Sequence, residues 1–508
     1  AKAEEVVTTA EAIEMLRGAE GIEAVQPNYI YGLLDDTTVI PMEEAEEPEA
    51  DSSDEGTGED IVDEDTDEDD GETEVLGKDP YNTNGLSGQY YLYSTKATTA
   101  WSRGTKSSGK VTVAVLDTGC RVTHEDIKGN LARDPNGNSL AWDAVGEQAL
   151  RKIGSNGDVH GHGTHVCGIV AATANNGKGI AGVSYNARLL PINVFTRFAS
   201  GAVSAYSSDI IAAYNYMDKK IHDGKLTNLR VINMSLGGIR STASYPDANS
   251  SDALLEKEIK HLREEHKVLT ICAGGNGDAN GNPYVNRFNF PSDFDSCLAV
   301  TALDENGANA GFSDYNKYKD ISAPGKYILS TTANSNSSYG YMSGTSQASP
   351  VTAGIAAMIY ANNSGITPDN VVKKIKERAV SIKNDQRHKQ YKGNTNPERR
   401  GSAGAIRAIP KSSKPKATSI KSITAYKKAL KVTWKKGSSS ITGYQIAFSN
   451  SSKFKNAKYV KVKSYKTTSK KVYLKAKKKY YVKIRTYKKS GTKTVYSSWS
   501  SVKTKTTK

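Results

Sequence analysis

Two stretches of this chain each lack one sign of charge. Residues 411–508 contain no Asp or Glu beside 29 Lys and Arg, and residues 35–77 contain no Lys or Arg beside 21 Asp and Glu. The net charge of +13 over 508 residues is therefore the sum of two opposed segments, not a uniformly basic chain. The acidic stretch is also poor in aromatics. It cannot bury enough apolar surface to offset its self-repulsion, which predicts a disordered linker over 35–77. It has no EF-hand spacing, which argues against a calcium buffer. No apolar run reaches the roughly 18 residues of a membrane span, and the chain opens on Ala1 with no leader pattern, as expected of a removed start or a fragment. Only four cysteines occur, Cys120, Cys167, Cys272 and Cys297. They permit more than one disulfide pairing, but their apolar and small-residue surroundings favour buried thiols. The length allows about three domains at ~150 residues each.

What is present centres on Gly344-Thr345-Ser346-Gln347-Ala348-Ser349-Pro350. A serine in a tight turn precedes a small, apolar, helical run, which puts Ser346 at a helix N-terminus where free N–H groups favour developing negative charge. A serine hydroxyl is a weak nucleophile and needs a base. Val111–Leu116 is a continuous apolar run, as expected for a parallel strand buried on both faces, and it ends at Asp117. Then come His162-Gly-Thr-His165 and, much later, Ser346. Asp-Thr-Gly also occurs in aspartic proteases, but those need a second carboxylate and no second such motif exists here. His160, His162 and His165 invite a zinc reading, yet the spacing is not that of HExxH and glycines interrupt it.

DTG at 117–119, HGTHV at 162–166, NMSLGG at 233–238, AGGN at 273–276 and GTSQASP at 344–350, in this order, resemble the subtilisin-like serine proteases, and specifically their thermitase-like branch, over roughly residues 78–409. The resemblance implies an α/β fold with a mostly parallel sheet flanked by helices. It implies a secreted endopeptidase, expected to be a monomer, that hydrolyses protein or peptide substrates. Asp117, His162 and Ser346 would form the triad, with Asn276 and the Ser346 N–H as the oxyanion donors. Ser235, Leu236 and Gly237 would pair with substrate backbone. With Ala273, Gly274 and Gly275 they would wall the pocket for the residue before the cut bond, with Asn289 on its floor. Small walls leave room for a large apolar or aromatic side chain. The resemblance further implies structural calcium held by Asp79, Asp126 and Asn176 with the loop residues Thr173, Lys178 and Ile180, an oxygen-rich set that suits this ion. Gln347 stands where many relatives carry Met.

Residues 1–34 carry a short amphipathic helix beginning at Thr9 and then apolar alternation from Ile22 to Val25, which predicts a strand ended by Pro27. This resembles the last part of an inhibitory propeptide, which would act as an intramolecular inhibitor. A weak helix over 403–409 is expected to end the catalytic domain, with 410–417 as a linker. Residues 418–508 alternate in short β runs around Trp434, predicting an all-β sandwich similar to a fibronectin type III domain, with Tyr480 as its corner tyrosine. A unit with no acidic side chain suits anionic cell-wall polymers. Without a base-reading motif no specific nucleic-acid recognition follows. The alternative function is a binding protein on a catalytically inactive protease scaffold.

Overall fold

The computed structural model describes residues 9–16, 19, 22, 24–33, 36–41, 79–102, 111–153, 156–240, 252–383, 385, 405–408, 415–438, 441–490 and 493–508. Two units emerge, Ala1–Pro410 and Lys411–Lys508. In the first, the elements that matter in chain order are β1 (Ile30–Leu33), β2 (Asp36–Pro41), β3 (Thr112–Asp117), α1 (His162–Ala171), β4 (Arg188–Asn193), β5 (Val203–Tyr206), α2 (Ser207–His222), β6 (Leu229–Met234), β7 (Leu236–Arg240), α3 (Ala253–His266), β8 (Leu269–Ala273), β9 (Phe288–Phe290), β10 (Cys297–Leu303), β11 (Ile321–Pro324), β12 (Tyr339–Ser343) and α4 (Thr345–Ala361).

An eight-stranded sheet runs β11-β10-β8-β6-β3-β4 and ends with the short strands Trp142–Asp143 and Gln148–Ala149. All its pairings are parallel except that between the last two. Parallel sheets are covered on both faces, and β3 shows it: Val113 and Val115 enter one core with α1 and α4, while Ala114 and Leu116 enter the other with α2 and α3. α4 is buried almost throughout because it is built of small residues. A Cβ at Gly354 would come within 2.6 Å of the Val183 Cβ, so that glycine sets how closely α4 packs. The four cysteines are buried free thiols.

Two further sheets lie over the carboxyl ends of the central strands. One runs β9-β7-β1-β5 and then Phe195–Arg197; the other joins Ile328–Thr331, β12 and β2. They correct the reading of the N-terminal region. The helix Thr9–Leu16 is present, but the described residues between Ile22 and Val25 form no strand; the strand is β1, after Pro27. Pairing from both sides decides its place, since β7 and β5 supply its hydrogen bonds. The linker expectation over 35–77 also fails at its start. Asp36–Pro41 pairs antiparallel with β12, and its β-branched Thr37-Thr38-Val39-Ile40 suits a strand before the carboxylates become dense. The rest of the acidic tract, with Lys78, lies outside the described residues. Of the helix expected over 403–409, the described residues 405–408 are not helical: Ala405 instead bridges Val380 and Ser322.

The second unit packs two antiparallel sheets face to face, Ile420–Tyr426, Ala429–Trp434 and Ser469–Tyr473 against Lys458–Val462, Gly443–Ser449, Lys479–Ser490, Lys493–Tyr496 and Lys503–Thr506. Trp434, fully buried, sits in a core with Leu430, Tyr444, Phe448 and Ile484. The Tyr480 hydroxyl accepts from the Lys475 N–H at 3.1 Å. Of the linker expected over 410–417, residues 410–414 lie outside the described residues.

Candidate active site

Asp117 ends β3, and the chain must turn there at once. Gly119 takes φ +101°, and a Cβ on it would lie 2.3 Å from the Gly157 carbonyl oxygen; one on Gly163 would lie 2.1 Å from the Gly119 carbonyl oxygen. Both glycines are therefore needed for α1 to start against the Asp117 loop. Asp158 locks the junction. Its carboxylate accepts from the Gly161 and Thr164 amides at 2.7 and 2.8 Å and from the hydroxyls of Thr118 and Thr164. Asp158 was missed by sequence reasoning; the available signal was an acidic side chain just before a helix start. The result is that His162 Nδ1 lies 2.7 Å from Asp117 Oδ1, both side chains fully buried. Asp117 Oδ1 also accepts the Thr118 amide at 2.7 Å. A carboxylate held this way fixes one imidazole tautomer, with the lone pair on Nε2.

Ser346 occupies the second position of α4, among the N–H groups that a helix leaves unsatisfied. Pro350 lies four residues on and has no N–H, so the Ser346 carbonyl lacks its helical partner. The Ser235 hydroxyl takes that place at 2.8 Å, and the Ser346 hydroxyl donates to the Ser235 carbonyl at 3.1 Å. Asn233 Nδ2 donates to Ser235 Oγ, and Ser349 Oγ to Asn233 Oδ1, at 3.0 and 2.7 Å. Pro350 and Ser235 thus act as a pair in seating Ser346. Beside them Gln347 Nε2 lies 3.4 Å from His162 Nε2 and 3.7 Å from Met342 Sδ.

Asn276 is turned by its own acceptor. Its Oδ1 takes the Thr345 amide and hydroxyl, each at 2.8 Å. Its Nδ2 is buried and unpartnered among the described residues. An unpaired buried amide costs about 1–3 kcal/mol. Here it is a buried donor with no target at the start of α4, and such an arrangement can hold an oxyanion. Gly275, at φ +110°, leaves room for what lies behind: a Cβ on it would meet Asp314 Oδ2 at 2.1 Å and Asn289 Nδ2 at 2.6 Å. Both amide atoms of Asn289 are buried and unpartnered, while its backbone is braced by Asp293, whose carboxylate also pairs with buried Lys319 at 2.6 Å. Burial pushes the Asp314 carboxyl up to about 6. Ala273 and Gly274 are buried beside them at the end of β8. His165 faces away from the reacting groups and donates between the Ile328 and Gly340 carbonyls.

The edge carrying Ser235, Leu236 and Gly237 is already paired. Gly32 lies opposite Gly237 and Leu33 opposite Leu236, and on the other side Ile30 and Tyr31 lie opposite Tyr206 and Ala205. Tyr31 is wholly buried and donates to Asp252 Oδ2 at 2.7 Å; Gln26 Nε2 donates to Asp252 Oδ1 at 2.6 Å. The Asn28 amide side chain accepts the Ser208 N–H, and the Tyr29 carbonyl accepts the Ser207 N–H. β2 then pairs with β12, immediately before Gly344. Chain from this molecule's own N-terminal region therefore flanks the site on both sides.

Of the calcium set, the structure brings three side chains together. Asp79 Oδ2 and Oδ1 accept the Asn175 and Gly177 amides at 2.6 and 3.2 Å; Asp126 accepts from Asn176 Nδ2 at 2.7 Å, the Ile180 amide at 3.0 Å and the Tyr339 hydroxyl at 2.9 Å. Burial raises both carboxyls above their usual range, and the Asp79 charge adds to the rise at Asp126. Lys178 does not relieve them, because its ammonium pairs with Glu125 at 2.8 Å. Two buried, mutually repelling carboxylates fit a hard cation; Asn176 turns its Nδ2 to Asp126, and its Oδ1 accepts the Lys178 N–H at 2.8 Å. Thr173, Lys178 and Ile180 meet this cluster through hydroxyl and N–H groups.

A subtilase family model matches residues 108–405, more than half of the chain. The chain belongs to the subtilase family. Its enzyme class is that of the serine endopeptidases. The subtilase region is 30% identical to thermitase of Thermoactinomyces vulgaris over 304 residues, 60% of this chain and 91% of that protein. It is 34% identical to the major intracellular serine protease of Bacillus subtilis over 52% of this chain and 72% of that one. It is 32% identical to a thermophilic serine proteinase of a Bacillus species over 53% of this chain, and there it spans only 57% of the relative's length. Other subtilases that match are named extracellular proteases. Among the described residues, no helix is long and apolar enough to cross a membrane.

Proposed function

We propose that this subtilase is an endopeptidase made as a self-processing precursor. The observation that carries the reading is the unpaired, buried Asn276 amide beside Ser346, with His162 oriented by Asp117 at 2.7 Å. Ser346 Oγ attacks the substrate carbonyl and gives its proton to His162. Asn276 Nδ2 and the Ser346 N–H hold the resulting oxyanion. The intermediate collapses as His162 passes the proton to the leaving amine, and water then cleaves the acyl-enzyme by the same route reversed. Ser235, Leu236 and Gly237 bind substrate backbone. The pocket of Ala273, Gly274 and Gly275 over Asn289 takes a large side chain with a polar contact at its floor.

The first substrate is the chain itself. β1 fills the strand position a substrate would take, and β2 continues on the far side, so the processed bond lies within residues 33–36. Leu33, the last described residue of β1, is opposite Leu236, and the carbonyl of the preceding Ser235 accepts from the Ser346 hydroxyl. We therefore assign cleavage after Leu34, leaving residues 1–34 as the inhibitory propeptide. Asp79, Asp126 and Asn176, with the loop from Thr173 to Ile180, would hold calcium, which would neutralise the two carboxylates. Secretion follows the extracellular relatives rather than the intracellular one and suits a fibronectin type III-like second unit rich in lysine. In that unit Lys483 and Arg485 stack over Trp499 at 4.8 and 4.3 Å, and Arg485 over Tyr496 at 3.7 Å. A cation–aromatic face of this kind suits retention on an anionic cell-wall polymer.

The test is the full chain with and without Ser346→Ala. The unaltered protein should shorten to a form whose N-terminal sequence begins at Asp35, and should then hydrolyse peptides. The Ser346→Ala protein should stay full-length and inactive. Turnover by that variant would overturn the mechanism. An unaltered chain that neither shortens nor cleaves peptides would support the inactive binding scaffold instead.

A further inference from the structure

Away from the catalytic cleft, the C-terminal ends of α2 and α3 bring together Asp218, His222, His261 and His266, so that three of the chain's eight histidines surround one carboxylate. We infer that this cluster is a transition-metal site of the zinc class, with Asp218, His222 and His266 as ligands and His261 beside them.

The arrangement follows from helix geometry. Asp218 and His222 are four residues apart and so lie on one face of α2. α3 packs on α2 through Leu255, Ile259 and Leu262 against Ile210, Ala213, Tyr214 and Met217, which carries His261 and His266 to the same spot. The potential ligand atoms of Asp218, His222 and His266 all lie within 4.8 Å of one another. His222 Nδ1 is 3.4 Å from Asp218 Oδ2, and His266 and His261 present Nε2 to Asp218 Oδ1 at 2.9 and 3.3 Å. Ligand atoms about 2.0–2.1 Å from a tetrahedral zinc are roughly 3.4 Å apart, so the set is near coordination spacing already. Imidazoles and one carboxylate suit zinc rather than calcium, which prefers oxygen alone. His222 Nδ1 at present donates to the Asp218 carbonyl at 3.0 Å and must give up that bond and proton to bind metal.

Two features favour a cation here. Both helices end at the cluster, α2 at His222 and α3 at His266, and helix C-termini carry partial negative charge. Of the nearby cations, Lys220 lies over the Tyr216 ring and Arg263 pairs with Asp369, while Arg230 Nη1 donates to the His266 carbonyl at 3.1 Å and offsets part of the charge at that helix end. Among the described residues, histidines are the ion-pair partners of Asp218. The site also has a place in the enzyme's architecture. The N-terminal ends of the same two helices supply Ser207, Ser208 and Asp252, which hold residues 26–31 in the cleft. Metal at one end of the helix pair would fix the spacing of the propeptide dock at the other.

The experiment uses the full chain carrying Ser346→Ala, which prevents self-digestion, with Zn2+ and Co2+ as probes. One Zn2+ per chain is expected, unaffected by excess Ca2+, with a rise in melting temperature. Co2+ should give the intense visible bands of a four-coordinate site. His222→Ala combined with His266→Ala should weaken Zn2+ binding by more than about tenfold while leaving the metal-free melting temperature unchanged. X-ray absorption at the zinc edge reads the ligands with every histidine intact: a shell containing two or three imidazoles supports the site, and an all-oxygen shell overturns it. Sub-stoichiometric binding, or equal binding by the double variant, also overturns it.

Discussion

The two units of this subtilase treat charge in opposite ways. The first buries ionisable groups completely and gives each a designated contact: Asp117 with His162, Asp293 with Lys319, His165 between two carbonyls. The second buries no charged side chain among its described residues and lays lysines such as Lys483 and its single arginine, Arg485, over aromatic rings. The difference teaches what each arrangement is good for. A buried charge is expensive and acts over one bond length, so it suits chemistry at a fixed atom. A surface charge is inexpensive and acts over many ångströms, so it suits attraction to a large partner, within the reach that salt allows.

Three measurements sharpen that contrast. The largest effect is expected at Asn276. Asn276→Ala removes a donor that has nothing to do until the oxyanion forms, so kcat should fall ~10²–10³-fold with little change in KM; an effect confined to KM would show that the amide serves binding instead. Next is acid stability. Burial, and then the nearby His162, hold His165 far below its usual 6.5, at about 3. Its folded form resists a proton that the unfolded chain accepts. Its contribution to stability is therefore complete above 6.5 and is lost as pH falls from there towards 3. Urea unfolding of the Ser346→Ala protein across that range should show stability falling with acid, and His165→Asn should flatten the slope. An equal slope in both proteins would assign the acid sensitivity to other groups. The smallest effect belongs to the second unit. Removing Lys483 or Arg485 as Gln should weaken binding to heparin or wall polymer by up to about fivefold each, ~1 kcal/mol at low salt, and the loss should vanish at high salt. A salt-independent loss would mean that ring contacts, not charge, carry the attachment.

The central sheet and the reacting side chains were legible because local chemistry and tertiary demand agree there. Val111–Leu116 could be read as a doubly buried strand from composition alone, and Ser346 could be placed at a helix start from the small residues that follow it. His162 was equally visible through its motif, but the lock that seats it was not. Asp158 ties the helix start at His162 to the Asp117 loop because Thr118, from a separate motif, folds onto it. Pro350 looks like a flaw in a helix until Ser235 is seen supplying the missing donor. The N-terminal region was misread for a related reason. Its alternation at Ile22–Val25 promised a strand, whereas the strand that forms is Ile30–Leu33, whose partners β7 and β5 lie about two hundred residues away in the chain. Extended chain with no hydrogen-bonded edge of its own goes where an open edge receives it.

The amino-acid sequence by itself determined the order of motifs, the burial of the central strands, the candidates proposed as nucleophile, base and oxyanion amide, and the segregation of charge, because each is written in neighbouring residues. Only the tertiary structure decided which free backbone edge the N-terminal segment would fill, and that Asp218 would meet histidines from a second helix. These depend on contacts between residues distant in sequence, whose pairing is set by how the helices and sheets pack rather than by any local preference.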